Sequence, residues 1–384
     1  MKKIYFAIYD MGGGHRSTAN ALIEVIRERE LPWQVQIVEV LKEVFELTRP
    51  QFVYNNWILK QKWAKLINDP FLVPAFKLEI YLRHQAWRKR LENYWREHQP
   101  DLVVSLMPFI NRLLYQSLHR ELPRVPFVTL MTDFADCPPR FWIEPQEQLL
   151  ICPSRRAVQQ AQTCGYSDAR IFQTSGVVIH PRFNQPVESD RIEGRKHLGL
   201  DPKLPTGLVL FGTQGSQEMV EIADRLNKSD LKLQLIFICG RNQQLTAELQ
   251  QKSTRYLKYV EGFTKELPWY MHLSDFFIGK PGSVGVSEAI AMKLPVITEC
   301  NQTMTMFQER ASAGWLQDRG LGVVVRNFRQ IETAVAQLLE PSNFPRYQDR
   351  VKAYENRAVF EAVDILEHIL FQSYSPTTSR SFSV

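Results

Sequence analysis

The feature that most constrains the fold is an alternation of short apolar segments with helix-like segments, which runs through the chain twice. Parallel strands need a crossover connection, usually a helix, so this alternation predicts doubly wound parallel sheets of an α/β protein. The predicted strands of the first series are 3–9, 35–40, 102–106, 127–131, 149–153 and 170–174. Those of the second series are 207–211, 234–239, 257–260, 275–278, 296–298 and 322–325.

The 384 residues are too many for one ordinary core and suit two domains. A polar stretch with three prolines separates the two series. We therefore predict an N-terminal domain over 1–185, a linker over 186–205, a C-terminal domain over 206–372 and a disordered tail over 373–384. The linker should hold a short helix near Arg195–Leu200, and the last helix should run from about Tyr354 to Phe371.

Composition argues against an integral membrane protein, a secreted protein and a fibrous protein. Apolar residues make up 44% and charged residues 23%, a balance typical of a folded chain. The apolar runs are strand-sized, well short of the roughly 20 residues of a membrane helix. The N-terminal apolar stretch is too short for a signal peptide. The five cysteines are widely spaced, so we expect no disulfide framework or zinc site, and a reducing cytoplasm.

Charge is uneven along the chain. Residues 49–98 hold ten basic and four acidic side chains, an excess of +6 that equals the formal net charge, and four of the eight tryptophans. An anionic membrane surface attracts this mixture, and single-stranded nucleic acid would also suit it. Alternatively, the segment is a pair of amphipathic helices with buried aromatics. Our membrane prediction names Trp57, Lys60, Lys62, Trp63, Lys65, Trp87, Arg88, Lys89 and Arg90.

A glycine-rich loop joins the first strand to the first helix. Gly12, Gly13 and Gly14 allow a ligand to approach the backbone closely, but they match neither a dinucleotide fingerprint nor a Walker loop. His15 follows at the helix start, where the helix dipole favours a neutral imidazole that can accept a proton. The alternative is a helix-start residue that bonds only to backbone.

Two further strand ends carry candidate site residues. Asp133 follows the strand at 127–131, at the edge of a parallel sheet where ligands bind, although an Asx turn would also place an aspartate there. After the strand at 275–278, a helix starts near Ser283, and the amides of Gly282 to Val284 can hold a phosphate. Glu288, one turn later, can accept two hydrogen bonds from a ribose diol, or it can merely offset the helix dipole.

The second domain has weaker signals at other strand ends. Gly212 and Gly215 follow its first strand and could touch a diphosphate or the acceptor, while turns at Arg241 and Phe263 could meet a base and a phosphate. No Asp-x-Asp pair occurs in a loop, so the sequence shows no carboxylate clamp for a metal.

These motifs, in this order, resemble those of the monogalactosyldiacylglycerol synthase and processive diacylglycerol glucosyltransferase family. In the first half the resemblance lies in Gly12-Gly13-Gly14-His15-Arg16-Ser17, Thr132-Asp133 with Trp142, Cys152-Pro153-Ser154, and Gly176 with Pro181-Arg182-Phe183. In the second half it lies in Arg195-Lys196-His197-Leu198-Gly199-Leu200, Gly240-Arg241-Asn242, Gly262-Phe263-Thr264, and Lys280-Pro281-Gly282-Ser283 with Ser287-Glu288-Ala289, a half shared with the peptidoglycan GlcNAc transferase.

The resemblance implies a GT-B fold in which the first domain binds the acceptor and the second binds a UDP-sugar. It implies inverting transfer without a metal or other cofactor, and a lipid acceptor at the inner face of a membrane. His15 would be the catalytic base, with Asp133 beside it. Glu288 would bind ribose, Gly282 and Ser283 phosphate, and the Phe263 backbone uracil.

Three departures from the family's plastid-type pattern concern the acceptor and the donor sugar. Pro138-Pro139 replaces His-Pro, and Gly176-Val177-Val178 replaces Gly-x-Pro. Glu299-Cys300-Asn301-Gln302 replaces Pro-Gly-Gln, which makes Asn301 and Gln302 the candidate contacts to the sugar. We expect a hexosyltransferase with diacylglycerol as acceptor. The alternatives are a UDP-GlcNAc 2-epimerase-like enzyme and a non-catalytic UDP-sugar-binding regulatory protein.

Overall fold

The structure, a computed structural model, describes residues 1–9, 13–47, 73–301 and 305–372. Within these residues, twelve strands form two parallel sheets of six. The first sheet contains β1 (Lys2–Ile8), β2 (Trp33–Glu39), β3 (Leu102–Ser105), β4 (Phe127–Leu130), β5 (Leu149–Cys152) and β6 (Ile171–Gln173). Their order in the sheet is β2-β1-β3-β4-β5-β6.

The second sheet repeats this arrangement. It contains β7 (Thr206–Leu210), β8 (Gln234–Ile238), β9 (Lys258–Glu261), β10 (Phe276–Gly279), β11 (Val296–Glu299) and β12 (Gly322–Val325), in the order β12-β11-β10-β7-β8-β9. Each predicted strand is present, with its ends shifted by no more than two residues. The prediction of two doubly wound parallel sheets is confirmed.

Helices cover the faces of both sheets. They are α1 (Gly14–Glu28), α2 (Val73–His98), α3 (Asn111–Glu121), α4 (Arg155–Thr163), α5 (Arg191–His197), α6 (Glu218–Asn227), α7 (Gln243–Gln251), α8 (Leu267–His272), α9 (Ser283–Ala291), α10 (Phe307–Arg319), α11 (Ile331–Leu339), α12 (Phe344–Ala353) and α13 (Ala358–Gln372). Because helices cover both faces, the central strands are buried on both sides, and all five residues of β7 are buried. None of these helices is long and apolar enough to cross a bilayer.

The helix between the two sheets starts earlier than the sequence predicts. Asp190 accepts hydrogen bonds from the backbone N–H groups of Ile192 and Glu193, at 2.7 and 3.0 Å. This cap fixes the start of α5 at Arg191, four residues before the predicted start. Arg195 of α5 is buried and donates to Asp275 Oδ2 over 2.7 Å, which ties the helix to the second sheet.

The last helix, α13, packs on the first domain. Its apolar face shares a core with α1, β1 and β3, through Ala358, Val359, Ala362, Val363, Leu366, Ile369 and Leu370. The predicted boundary placed this helix in the C-terminal domain. Helical periodicity identifies an apolar face but not the core that covers it. The helix also begins later than predicted, because Asn356 Oδ1 accepts from the Ala358 N–H over 3.0 Å. The predicted tail lies outside the described residues.

Helix α2 presents its tryptophans to the core. The Trp87 ring is 3% exposed and stacks on Phe45, with 4.4 Å between ring centroids. Trp95 is fully buried and donates from Nε1 to Ser117 Oγ over 3.0 Å. The prediction that Trp87 contacts a membrane is therefore wrong, because the aromatic face of α2 is covered by α3 and by residues 40–45.

Candidate active site

The glycine-rich loop and His15 lie where α1 begins, beside the carboxyl ends of β1 and β3. Gly13 has a φ of 85°, a left-handed conformation that glycine adopts without strain. His15 Nδ1 donates to the carbonyl oxygen of Leu106, the residue that directly follows β3. A carbonyl can only accept, so the proton is on Nδ1 and Nε2 is the nitrogen able to accept another. This is the tautomer that a general base requires.

Trp142 lies between Asp133 and His15 and contacts both. Trp142 is fully buried, its ring centroid is 6.1 Å from that of His15, and its Nε1 donates to Asp133 Oδ2 over 3.1 Å. Asp136 holds the loop that carries Trp142: its carboxylate accepts from the N–H groups of Arg140, Phe141 and Trp142 at 2.6–2.8 Å. Burial raises the pKa of Asp133 to about 6, although the hydrogen bonds it accepts act in the other direction.

The two domains meet at the predicted site. Ser283 Oγ, at the start of α9, donates to Asp133 Oδ1 over 2.7 Å. A Cβ added to Gly13 would lie 3.7 Å from Thr213, and one added to Gly14 would lie 3.9 Å from Val284. The glycine loop of the first domain therefore faces the two phosphate-binding candidates of the second. Phe134 stacks on Trp315 of α10 beside this point, with 4.2 Å between centroids.

Glu288 is the acidic residue of the second domain that the sequence predicts as a ligand contact, and it is buried. It is 8% exposed, and the structure gives its carboxylate no hydrogen-bond partner among the described residues. Burial raises its pKa to about 7, with only the nearby charge of Arg182 acting in the other direction. A carboxylate buried without donors is costly, so this geometry is suited to a ligand that brings donors to it.

Tight glycine turns surround the ends of β7 and β8. Gly212 and Gly215 have φ values of 72° and 59°, and a Cβ on Gly215 would lie 2.7 Å from the Cys239 carbonyl. Arg241 donates its N–H to the Thr213 carbonyl over 2.8 Å, and its guanidinium lies 5.0 Å from the ring centroid of Phe263. Phe263 is 52% exposed at the end of β9, which leaves one aromatic surface open to a base.

The remaining predicted residues either bond elsewhere or fall outside the described residues. Asn301 bonds to Thr305 and to the Arg326 carbonyl, at 3.0 Å each. Gly12, Gln302, Trp57, Lys60, Lys62, Trp63 and Lys65 fall outside the described residues. In the part of the chain that is described, no group of three or more His, Cys, Asp or Glu side chains could hold a metal ion.

Sequence reasoning missed an ion pair inside the site. Lys280, directly after β10, donates from Nζ to Glu309 Oε1 of α10 over 2.9 Å, and Glu309 is 7% exposed. The two residues are 29 positions apart, so no local pattern could have paired them. The sequence also gave Trp142 no role, although a tryptophan nine residues after Asp133 was part of the family resemblance.

The first half of α2 exposes apolar side chains that the sequence prediction overlooked. Leu78, Tyr81 and Leu82 are 57%, 77% and 72% exposed, and their spacing places them on one face of the helix. Of the predicted cations on α2, Arg88 pairs with Glu92 and Arg90 with Glu46, both at 3.2 Å, while Lys89 is exposed. The exposed apolar face lies about two to three turns before these cations and follows the segment that is not described.

Known proteins are similar to this chain in sequence and in fold. Residues 15–179 match the family model of monogalactosyldiacylglycerol (MGDG) synthase. A probable monogalactosyldiacylglycerol synthase 2, chloroplastic, from Oryza sativa subsp. indica is 28% identical over 420 residues, covering 100% of this chain and 85% of the relative. Monogalactosyldiacylglycerol synthase 3, chloroplastic, from Arabidopsis thaliana is 26% identical and covers 100% and 84%.

The fold also matches a solved glycosyltransferase. The crystal structure of MurG from Acinetobacter baumannii aligns with a TM-score of 0.62 over 96% of this chain and 100% of MurG, at 12% identity. That likeness concerns the fold alone. The chain thus has a GT-B fold, and it is similar to the monogalactosyldiacylglycerol synthase family both in the matched part of its first domain and, through the plant enzymes, over its full length.

Proposed function

We propose that the protein transfers a hexose from a UDP-sugar to a lipid hydroxyl, with inversion and without a metal, and that diacylglycerol is the acceptor. One observation carries the donor part of this proposal: Glu288 is almost fully buried and has no hydrogen-bond partner among the described residues. A ribose diol supplies two O–H donors, which would satisfy both carboxylate oxygens. The exposed Phe263 ring beside Arg241 is evidence for a uracil-binding position at the neighbouring strand ends.

The proposed chemistry is a single displacement. His15 Nε2 takes the proton of the acceptor hydroxyl, because its Nδ1 proton is committed to the Leu106 carbonyl. The acceptor oxygen then forms a bond to the anomeric carbon of the sugar. The bond from that carbon to the β-phosphate oxygen breaks, and its electron pair leaves with the UDP. The amides at the start of α9 stabilise the charge that develops on the diphosphate.

Asp133 has a supporting role in this proposal. After His15 has taken the proton it carries a positive charge, and a carboxylate on the same side of the cleft stabilises that charge. Trp142 connects the two residues, because its ring lies beside His15 and its Nε1 bonds to Asp133. The pKa of Asp133, raised by burial to about 6, still leaves it mostly ionised at pH 7.

We further propose that the protein acts as a peripheral enzyme at the cytoplasmic face of an anionic membrane. Leu78, Tyr81 and Leu82 provide an apolar face that would enter the headgroup region, and the basic excess of residues 49–98 would attract anionic lipid. Similarity to plant proteins named for monogalactosyldiacylglycerol synthesis supports a diacylglycerol acceptor. The same similarity supports galactose as the first sugar to test.

The test is a UDP-release screen. The protein is incubated with UDP-galactose, UDP-glucose or UDP-N-acetylglucosamine and vesicles of anionic lipid with or without diacylglycerol. UDP release that requires diacylglycerol, together with a glycolipid product, would support the proposal. Conversion of UDP-N-acetylglucosamine into another UDP-sugar without an acceptor would instead indicate an epimerase. UDP binding without any turnover would indicate a regulatory protein, and no UDP binding would exclude all three.

A further inference from the structure

Lys280 occupies the position where the two glycine turns of the second domain meet. It follows β10, whose neighbour in the sheet is β7, and the two strands end level with each other because Gly279 pairs with Leu210. A Cβ added to Gly212, after β7, would lie 3.7 Å from Lys280 Cε. One added to Gly282, before α9, would lie 3.4 Å from Cε and 3.8 Å from Nζ. The lysine side chain therefore runs between both turns.

An acidic partner holds the Lys280 ammonium in this position. Nζ donates to Glu309 Oε1 over 2.9 Å, and the Glu309 side chain is only 9% exposed against 32% for that of Lys280. The ammonium is therefore held by a buried carboxylate, while the Lys280 side chain as a whole remains partly exposed. Its charge is also felt at Asp133, on the opposite wall of the cleft, where it lowers the pKa against the effect of burial. The ammonium also lies beside Gly282, the residue before Ser283, which bonds to Asp133.

We propose that Lys280 is the residue that neutralises the diphosphate of the UDP-sugar and of the departing UDP. This inference rests on the proposed function and adds to it a charged group that the amide-lined turns lack. A diphosphate between the Gly212 and Gly282 turns would meet the Lys280 ammonium, which remains protonated throughout the displacement and transfers no proton. Charge-assisted hydrogen bonds to phosphate are about twice as strong as neutral ones, so this contact would favour departure of the leaving group.

The alternative is that Lys280 only joins β10 to α10. A lysine that merely held these elements together would contribute to folding but would not distinguish ligands by their phosphate content. Dependence on ligand phosphate is therefore the property to measure. Uridine, UMP and UDP share the base and the ribose that Glu288 would hold, and they differ only in the group assigned to Lys280.

The experiment compares the full-length protein with Lys280→Gln, which removes the charge and keeps a hydrogen-bond donor for Glu309. Lys196→Gln is the matched control, because Lys196 also pairs with a glutamate, Glu193, at 2.8 Å, but lies exposed on α5. Affinities for UMP and UDP are measured by titration calorimetry and that for uridine by ligand-observed NMR. We expect Lys280→Gln to weaken the affinity for UDP about 10- to 100-fold, the effect of one charged hydrogen bond. The affinity for uridine should stay unchanged. Lys196→Gln should change neither.

The outcomes separate this inference from the proposed function. If the unmodified protein binds neither uridine nor UDP, the proposed function itself fails. If it binds UDP and Lys280→Gln binds UDP equally well, only the role of Lys280 is overturned. If the variant loses binding of uridine together with binding of UDP, Lys280 maintains the shape of the turn rather than contacting phosphate. That result also overturns the inference.

Discussion

Ser283 Oγ donates a hydrogen bond to Asp133 Oδ1 over 2.7 Å, so the start of the donor-side helix α9 is joined directly to a carboxylate of the other domain. A serine hydroxyl has one proton to donate. A phosphate at the start of α9 would therefore compete with Asp133 for it. If the donor binds as proposed, its binding would change the environment of Asp133 through this one hydroxyl.

Replacing Ser283 should move the pH dependence of turnover. Ser283→Ala removes a hydrogen bond that favours the charged form of Asp133, so the pKa of Asp133 should rise above about 6. The acid limb of the kcat/KM profile should then shift to higher pH. Ser287→Ala is the matched control, because Ser287 lies on the same helix, is 1% exposed, and has a hydroxyl with no hydrogen-bond partner among the described residues. Identical acid limbs for the two variants would contradict the prediction.

Replacing Glu288 should weaken UDP binding. Glu288→Ala removes the proposed acceptor of the ribose hydroxyls and should cost about 1.5–3 kcal/mol of binding free energy, as for a lost hydrogen bond to a charged group. Titration calorimetry measures this directly. Glu332→Ala, on the exposed face of α11, should have no effect. Unchanged UDP affinity in Glu288→Ala would remove the ribose assignment.

UDP affinity should also depend on pH through Glu288. Burial raises the pKa of this carboxyl to about 7 in the unliganded protein. Ribose hydroxyls donate to the ionised form, so UDP binding should lower that pKa and release protons near neutral pH. Affinity should then rise from pH 6 to pH 8 and level off above. In Glu288→Gln this dependence should disappear, and calorimetry in buffers of different ionisation enthalpy measures the released protons.

Removing the His15 imidazole should affect turnover and not donor binding. His15→Ala should reduce the rate by roughly 10²–10⁴, the range for loss of a general base. The affinity for UDP should stay within about twofold, because His15 belongs to the first domain. His119→Ala, an exposed histidine on α3, serves as the control. A near-normal rate for His15→Ala would reduce His15 to a structural residue of the loop.

Membrane binding should depend on the exposed face of α2 and on the basic segment before it. Replacing Leu78, Tyr81 and Leu82 with serine should release the protein from anionic vesicles, because burial of each such side chain contributes on the order of 1–2 kcal/mol. Replacing Lys60, Lys62 and Lys65 with glutamate should do the same in a salt-sensitive way. Ile192→Ser, an exposed apolar residue on α5, is the control. Co-sedimentation that is equal for all these variants would contradict a membrane role.

The architecture was predictable because its determinants are local. Apolar strands, helical periodicity and glycine turns recur within windows of about ten residues, and the strand ends place Asp133, Gly282 and Ser283 at sheet edges. The pairing of Ser283 with Asp133 was not predictable, because it joins residues 150 positions apart in different domains. The Lys280–Glu309 pair was not predictable either, because it joins residues 29 positions apart.

The error at Trp87 has a different cause. Basic residues interleaved with tryptophans describe a membrane-surface helix, but they describe equally a surface helix whose aromatic side is buried. The distinction depends on which face meets the rest of the protein. Here α3 and residues 40–45 cover Trp87 and Trp95, and the exposed apolar side chains are Leu78, Tyr81 and Leu82.

The return of α13 to the first domain has a consequence for the order of folding. Seven residues of α13 complete the core around α1, although the strands of that core are encoded before residue 174. On the ribosome, the first domain must therefore wait, with part of its apolar surface uncovered, until the whole second domain has been synthesised. The second domain does not depend on α13, because α11 and α12 close its core through residues such as Ile331, Leu338 and Val351. The half of the chain that is made last is thus able to finish folding first.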